Sequence, residues 1–441
     1  MASRRTFLRL SAGALTAAAA RPLFGAGIQG ANDRIRMGVI GCGGRSARVF
    51  DALARHADCQ FLTAAEVNKA KLDSWMTPAR QAFNLQVVGD HRWILDRRDI
   101  DAVLIATPDH WHAQQTIDAI AAGKDVYVEK PASNTIPRIN AMLDAYKKGK
   151  QVVQIGTQQR SWDHFIEAKR TLDTGVLGKV THIYIVQPGN YARAREAEQP
   201  VPAGLDWEMW QGPAPRKPFK PTRLAFRGWY DYGGGLVADW GAHHVDVAHW
   251  FMNADHSAPS RTTAVGSFFA VPDADPEQVP DTFSIAWQYE NFLMTFANGE
   301  VARAQDDIEG WGVFFIGNRG SLQVNRMGWA VRPTVPRTAR RQGPPPPPGS
   351  SGAGRGRGGA AANLPPIERH VYLNPKGGVE EDYPLDAHTR NFLDAVKSRR
   401  KPAADMEIGY YAALPCLLAL ESLKEGKPLG WDATSRKSRT L

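Results

Sequence analysis

The chain has 441 residues, enough for roughly two or three folded units with a substantial core, which excludes a peptide hormone or a disulfide miniprotein. Hydrophobic residues make up 43% and charged residues 22%, and no apolar run approaches the roughly 20 residues that a membrane-spanning helix needs. The net charge of +9 sits in two acid-free stretches, Arg4, Arg5, Arg9 and Arg21 within 1–25 and Arg337, Arg340, Arg341, Arg355 and Arg357 within 336–360; the remainder balances, so no nucleic-acid partner is expected.

In chain order, residues 1–30 read as a leader. The paired arginines before Thr6-Phe7-Leu8, the mild apolar stretch over 10–20 and the small residues around Gly25 resemble a twin-arginine export signal, which predicts a periplasmic or otherwise exported protein. From 34 to 155, the runs MGVIG, FLTAAE, AVLIATP, DVYVE and VVQIG alternate with amphipathic stretches. That alternation predicts an α/β Rossmann domain, a doubly wound parallel sheet with helices on both faces. From 156 to 335, the runs VTHIYIV, TTAVGSFFAV, TFSIAWQY and FLMTFAN follow one another with one helix near 242–252, which predicts an α+β domain with an open, mostly antiparallel sheet. Five consecutive prolines at 344–348 in a Gly/Arg-rich stretch bury too little apolar area to offset ordering, so 336–365 reads as a disordered insertion. The segments 388–395 and 410–425 carry helical apolar spacing, and 366–441 is expected to pack back on the body. Cys42, Cys59 and Cys416 are too few and too scattered for a disulfide framework or a four-ligand zinc site.

The first strand run ends in Gly41-Cys42-Gly43-Gly44-Arg45-Ser46. Gly41 permits a tight turn, and Gly43 and Gly44 let a pyrophosphate approach the backbone at a helix N-terminus. Arg45 and Ser46 complete the cradle, Ser46 standing where the dinucleotide fingerprint has its third glycine. Glu66, ending the next strand, is placed to accept hydrogen bonds from a ribose and would repel a 2′-phosphate. NAD is therefore expected, and NADP only if Arg45 or Lys69 reverses the preference. Two further strand ends are polar, Thr107-Pro108-Asp109-His110-Trp111-His112 and Glu129-Lys130-Pro131. Ligands gather beyond such ends, which makes Thr107, Pro108, His112, Glu129 and Lys130 candidate cofactor contacts.

With these segments and Gly233-Gly234-Gly235-Leu236-Val237-Ala238-Asp239-Trp240-Gly241-Ala242-His243-His244, the chain resembles the Gfo/Idh/MocA oxidoreductases over roughly 34–330 and 385–432. The resemblance implies a Rossmann domain followed by an open-faced α/β domain whose sheet often joins subunits, hence a homo-oligomer. It also implies that Lys130 is the catalytic lysine and that Asp239 and His243 are the active-site Asp and His. The segments Thr107 to His112 and Gly156-Thr157-Gln158-Gln159-Arg160 look like those of an exported subgroup.

The residues themselves support that chemistry. Asp239 and His243 lie four apart, on one helical face, where a carboxylate orients an imidazole that takes a hydroxyl proton while Lys130 polarises the oxygen. Gln159, Arg160, Tyr191, Trp229 and His244 are candidate substrate contacts; Tyr191, Trp229, Tyr230 and Tyr232 either stack on a sugar or pack in the core. His243, His244, Asp246, His249 and Asp239 are rich in metal ligands, but adjacent helical side chains diverge by about 100°, and no metal is expected. The expected function is NAD(P)-dependent oxidation or reduction of a hydroxyl or keto group on a sugar, glycoside or polyol. Two alternatives stand: redox-assisted glycoside cleavage with tightly held, internally recycled NAD, and non-catalytic binding of a sugar or nucleotide.

Overall fold

The computed structural model describes residues 34–298, 310–333, 370–373 and 384–441; the expected leader and the 336–365 insertion lie outside them. The N-terminal strands are short and almost wholly apolar. In β1 (Ile35–Ile40) only Arg36 is not buried, the pattern of a strand covered on both faces. With β2 (Cys59–Ala65), β3 (Gln86–Val88), β4 (Ala102–Ile105), β5 (Asp125–Val128) and β6 (Val153–Ile155) it forms a parallel sheet of order β3-β2-β1-β4-β5-β6. Helices α1 (Gly44–Ala54), α2 (Asp109–Ala121) and α3 (Ile136–Lys148) make the crossovers. Strand order reverses direction between β1 and β4, and such a reversal leaves a crevice at the carboxyl ends of the strands.

Beyond α4 (Asp163–Asp173) lies a ten-stranded sheet of order β14-β13-β12-β11-β7-β10-β9-β8-β15-β16. Its strands are β7 (Val180–Val186), β8 (Arg261–Ser267), β9 (Thr282–Gln288), β10 (Leu293–Ala297), β11 (Gly312–Gly317), β12 (Gly320–Asn325), β13 (Gly328–Pro333), β14 (His370–Leu373), β15 (Leu429–Asp432) and β16 (Lys437–Thr440). Only the β7/β10 pair is parallel. Burial alternates along β7 and β9, with Ile183, Ile185, Phe283, Ile285 and Trp287 inward and Tyr184 and Ser284 outward, so one face is covered and the other open.

The covered face receives α6 (Gly235–Phe251), which follows the short α5 (Trp207–Gln211) and in which every residue except Trp240 and Trp250 is buried. The helix starts seven residues before the 242 expected from sequence. Gly234 and Gly235 both have positive φ (101° and 63°), a turn open to glycine at little cost, and the chain enters the helix directly from it. The two C-terminal helices separate. Phe392, Leu393 and Val396 of α7 (Leu385–Ser398) join Phe50 and Leu53 of α1 in one core. Helix α8 (Met406–Glu425) lies along α6 and β8 and reaches α3, with Trp287 Nε1 donating to the Pro415 carbonyl at 2.9 Å.

Candidate active site

The carboxyl ends of β1, β2, β4 and β5 and the start of α6 open onto one cleft of about 650 Å³. Its floor is made of absent side chains. Gly41 has φ +90°, and a Cβ there would stand 2.9 Å from the Thr107 nitrogen. A Cβ on Gly43 or Gly44 would meet nothing within 4 Å, so the space in front of the turn is open. Helix α1 begins there with no capping side chain and no acid in its first turn, which leaves main-chain N–H groups and the positive helix end facing that space. An anionic pyrophosphate fits this cradle.

At one end of the cleft, Glu66 accepts from the N–H groups of Cys42 (2.7 Å) and Asn68 (2.9 Å). Burial pushes its carboxyl above the usual range while these bonds pull it back. With the Val67 N–H also directed at the carboxylate, a lone pair is still left for a ribose hydroxyl. Lys69 turns away to Asp73 (2.8 Å), whereas Lys71 lines the cleft. Thr107, Pro108 and His112 line it further along; His112 Nδ1 lies 2.7 Å from the Pro131 carbonyl and its Nε2 2.9 Å from that of Thr107. Arg45 Nε donates to Glu129 Oε1 at 2.9 Å, and Gln158 Nε2 donates to the same oxygen at 2.9 Å, which ties the glycine turn to the end of β5. Ser46, expected at the cofactor, is instead fully buried and its Oγ has no partner among the described residues; it packs helix against sheet.

The other end is a network of charges. Lys130 Nζ donates to a carboxylate oxygen of Asp239 and, at 3.0 Å, to its main-chain carbonyl. The Tyr191 hydroxyl donates to the second carboxylate oxygen, and Arg227 Nε lies 3.3 Å from the first. Burial alone would raise the Asp239 carboxyl, but Lys130, Arg227 and these hydrogen bonds hold it well below the usual carboxylate range. Sequence reasoning paired Asp239 with His243; the structure corrects this, because both its oxygens are committed to Lys130, Tyr191 and Arg227. His243 lines the same cleft. Its Nδ1 is sealed and has no hydrogen-bond partner among the described residues, leaving Nε2 as the nitrogen toward the cleft. Burial first, then Lys130, Arg326 and Arg45, pushes the imidazole well below its ordinary pKa, so it is neutral at pH 7.

Four candidate substrate contacts do not reach the cleft. Arg160 is 8% exposed and committed to Asp246 (2.9 Å) and Asp255 (2.6 Å). Gln159 is buried beside it. Trp229 is buried under the Arg223 guanidinium, with Nε1 donating to Thr222 O at 3.0 Å. His244 turns to Gln187 Oε1 at 2.9 Å and stacks on Trp240. Tyr191 alone of the five lines the cleft. The histidines and acids of α6 also diverge, Asp246 toward Arg160 and His249 toward the Tyr289 hydroxyl (2.7 Å), and among the described residues no three metal-ligating side chains assemble. Sequence reasoning missed Arg48, Lys71, His91, Trp210, Arg227 and Arg326, all of which line the cleft. Arg48, Lys71 and Trp210 sit in helices, where a single polar or aromatic residue does not show from sequence which way it faces, and Arg227 and Arg326 lie in a 3-10 turn and a hairpin turn; the tryptophans flanking Glu208-Met209 were the one visible signal.

Two family descriptions match in tandem: an oxidoreductase family with an NAD-binding Rossmann fold over 35–157, and the family's C-terminal alpha/beta domain over 166–311. The chain belongs to the Gfo/Idh/MocA oxidoreductase family. Its first domain is that family's NAD-binding domain, in agreement with the glycine cradle and Glu66. An inositol 2-dehydrogenase 2 of Saccharopolyspora erythraea is 26% identical over 240 residues, 54% of this chain and 60% of that protein. A levoglucosan dehydrogenase of Pseudarthrobacter phenanthrenivorans is 29% identical over 163 residues, 37% of this chain and 36% of that one. The chain thus spans less than two thirds of the length of these relatives. The WlbA dehydrogenase of Bordetella pertussis, solved with NADH and UDP-GlcNAcA, shares the fold at TM-score 0.61 and 16% identity, covering 90% of this chain and 98% of that one.

Proposed function

We propose that this member of the Gfo/Idh/MocA family is an NAD-dependent dehydrogenase acting on a carbinol of a sugar or polyol. The observation that carries the reading is the meeting, in one cleft, of the Lys130 ammonium on Asp239, the neutral His243 imidazole and the open glycine cradle. His243 Nε2 takes the hydroxyl proton; as a neutral imidazole its base form is fully populated. Lys130 lies against the oxygen on which negative charge develops and stabilises it in a site shielded from water. Asp239 and Tyr191 fix where the ammonium points. The nicotinamide ring, when bound, supplies the hydride acceptor. The relatives named for inositol and levoglucosan support a polyhydroxylated substrate.

The test is NADH formation by the purified protein with myo-inositol, D-glucose and levoglucosan. His243→Ala and Lys130→Ala are each expected to lower kcat by about 10²–10⁴, with the Kd for NAD changed less than about threefold. Full activity in either variant refutes the assignment. The same reading includes a homo-oligomer through the open sheet face, supported by the exposure of Tyr184, Val265 and Leu293; Val265→Asp is expected to lower the mass seen by light scattering.

A further inference from the structure

In the segment after β4, nearly every polar side chain has a partner. Thr107 Oγ1 donates to Gln115 Oε1 at 2.7 Å. His110 Nε2 lies 2.9 Å from the Trp210 carbonyl, and Trp111 Nε1 donates to the same oxygen at 2.9 Å. His112 is held between the Pro131 and Thr107 carbonyls. These contacts clamp the start of α2 from both sides. Asp109, between them, is the exception: it lines the cleft, is only 5% exposed, and among the described residues its carboxyl makes no hydrogen bond or ion pair.

A buried carboxyl without a partner is costly, and such a group in a binding cleft points to a ligand that completes it. The charges it feels are Arg227, Lys130, Asp239 and Glu129, which places it at the reacting end, away from Glu66. Arg227 faces it without an ion pair; that guanidinium is drawn to Asp239 instead, so a gap separates acid and cation.

We propose that Asp109 is a specificity-determining residue that hydrogen-bonds a hydroxyl of the substrate next to the carbinol held at Lys130 and His243. The assignment rests on the dehydrogenase reading above. Burial pushes the carboxyl well above its usual range, against the pull of Arg227 and Lys130. Its oxygens accept a hydrogen bond in either protonation state, which matches the O–H of a substrate hydroxyl. The clamps on His110, Trp111 and His112 hold it there before substrate arrives, so little ordering is left to the binding step.

The experiment compares the parent, Asp109→Asn and Asp109→Ala with NAD and D-glucose, the series of monodeoxy glucoses, and myo-inositol. Circular dichroism checks the fold of each variant. A site built to bond a hydroxyl rejects the analogue lacking it, so the parent loses at least about 100-fold in kcat/KM when one particular hydroxyl is absent. Asp109→Ala is expected to raise KM for the complete sugar by about 10–100-fold, with the NAD Kd unchanged, and to lose that discrimination. Asp109→Asn, which keeps an acceptor oxygen of the same reach, is expected to recover KM to within about tenfold of the parent. The assignment is overturned if Asp109→Ala keeps the parent's preference, if it weakens all sugars equally, or if it weakens NAD instead. A parent inert toward every sugar overturns the dehydrogenase reading, and the role of Asp109 with it.

Discussion

The wall formed by β1, α1 and β2 meets its ligand with main-chain N–H groups and missing side chains, whereas the wall formed by Lys130, Tyr191, Arg227, Asp239 and His243 meets it with charges held in place by other charges. The first depends on local geometry, a positive φ at Gly41 and open space before Gly43 and Gly44. The second is assembled from segments more than a hundred residues apart, as in the Lys130 and Asp239 contact. A main-chain site is therefore sensitive to any added atom and indifferent to pH, while a network of buried charges fails when one member is removed.

The sharpest way to break this contrast lies behind the charged wall. Arg160→Ala leaves Asp246, which is 1% exposed, without its cation at the back of α6. A loss of about 3–5 kcal/mol is expected, read by denaturant unfolding, with Glu66 and the glycine cradle untouched; a loss under about 1 kcal/mol would show that the network is not cooperative. On the other wall, Gly41→Ala puts a methyl 2.9 Å from the Thr107 backbone at φ +90°. The left-handed conformation alone costs about 1–2 kcal/mol, so the NAD Kd is expected to rise at least about tenfold, measured by titration calorimetry.

Titration separates the walls further. Burial holds His110, His244 and His249 down at about 3 and His388 at about 4. The unfolded chain binds these protons below about pH 6.5 and the folded one does not. Stability is therefore complete above that pH and falls as pH drops toward about 4, by up to about 1.4 kcal/mol per unit for each histidine. Denaturation at about pH 7.5 and 5.5 checks this, and His388→Gln is expected to remove one histidine's share of the slope. The smallest effect is expected at the exposed rim, where Lys69 and Asp73 pair at 2.8 Å; Lys69→Ala is expected to change stability by no more than about 0.5 kcal/mol.

The same contrast explains what was readable from the chain. The turn at Gly41, Glu66, Lys130 and the α6 pair Asp239 and His243 stood out because strand runs and a glycine turn are local patterns. Strands β11 to β14 were missed, since GVFFIG and GSLQVN are short and set off by glycine, and β3 has only three residues. The partner of Asp239 was misjudged for a related reason: helical spacing ranks a neighbour four residues away first, but the lysine from β5 lies closer to its oxygens. Arg160 looked like a ligand contact because it ends the Gly156 to Arg160 segment at a strand's carboxyl end, and only the fold reveals Asp246 and Asp255 around it.

Part of the cleft lining, Tyr191, Met209, Trp210 and Leu224 to Arg227, comes from one long connection, residues 187–234 between β7 and α6. It rejoins the first domain through Lys69 N–H to Gly204 O (2.9 Å) and Asp206 N–H to Val67 O (3.0 Å), contacts that use backbone atoms at both ends. Its path is thus held by main-chain atoms, while Tyr191 and Arg227 tie it to Asp239 and the side chains between them that line the cleft, such as Met209, Leu224 and Phe226, carry neither task. Selection can retune what the enzyme accepts by changing the other cleft-facing residues of this one stretch, leaving both sheets, Tyr191 and Arg227 as inherited parts.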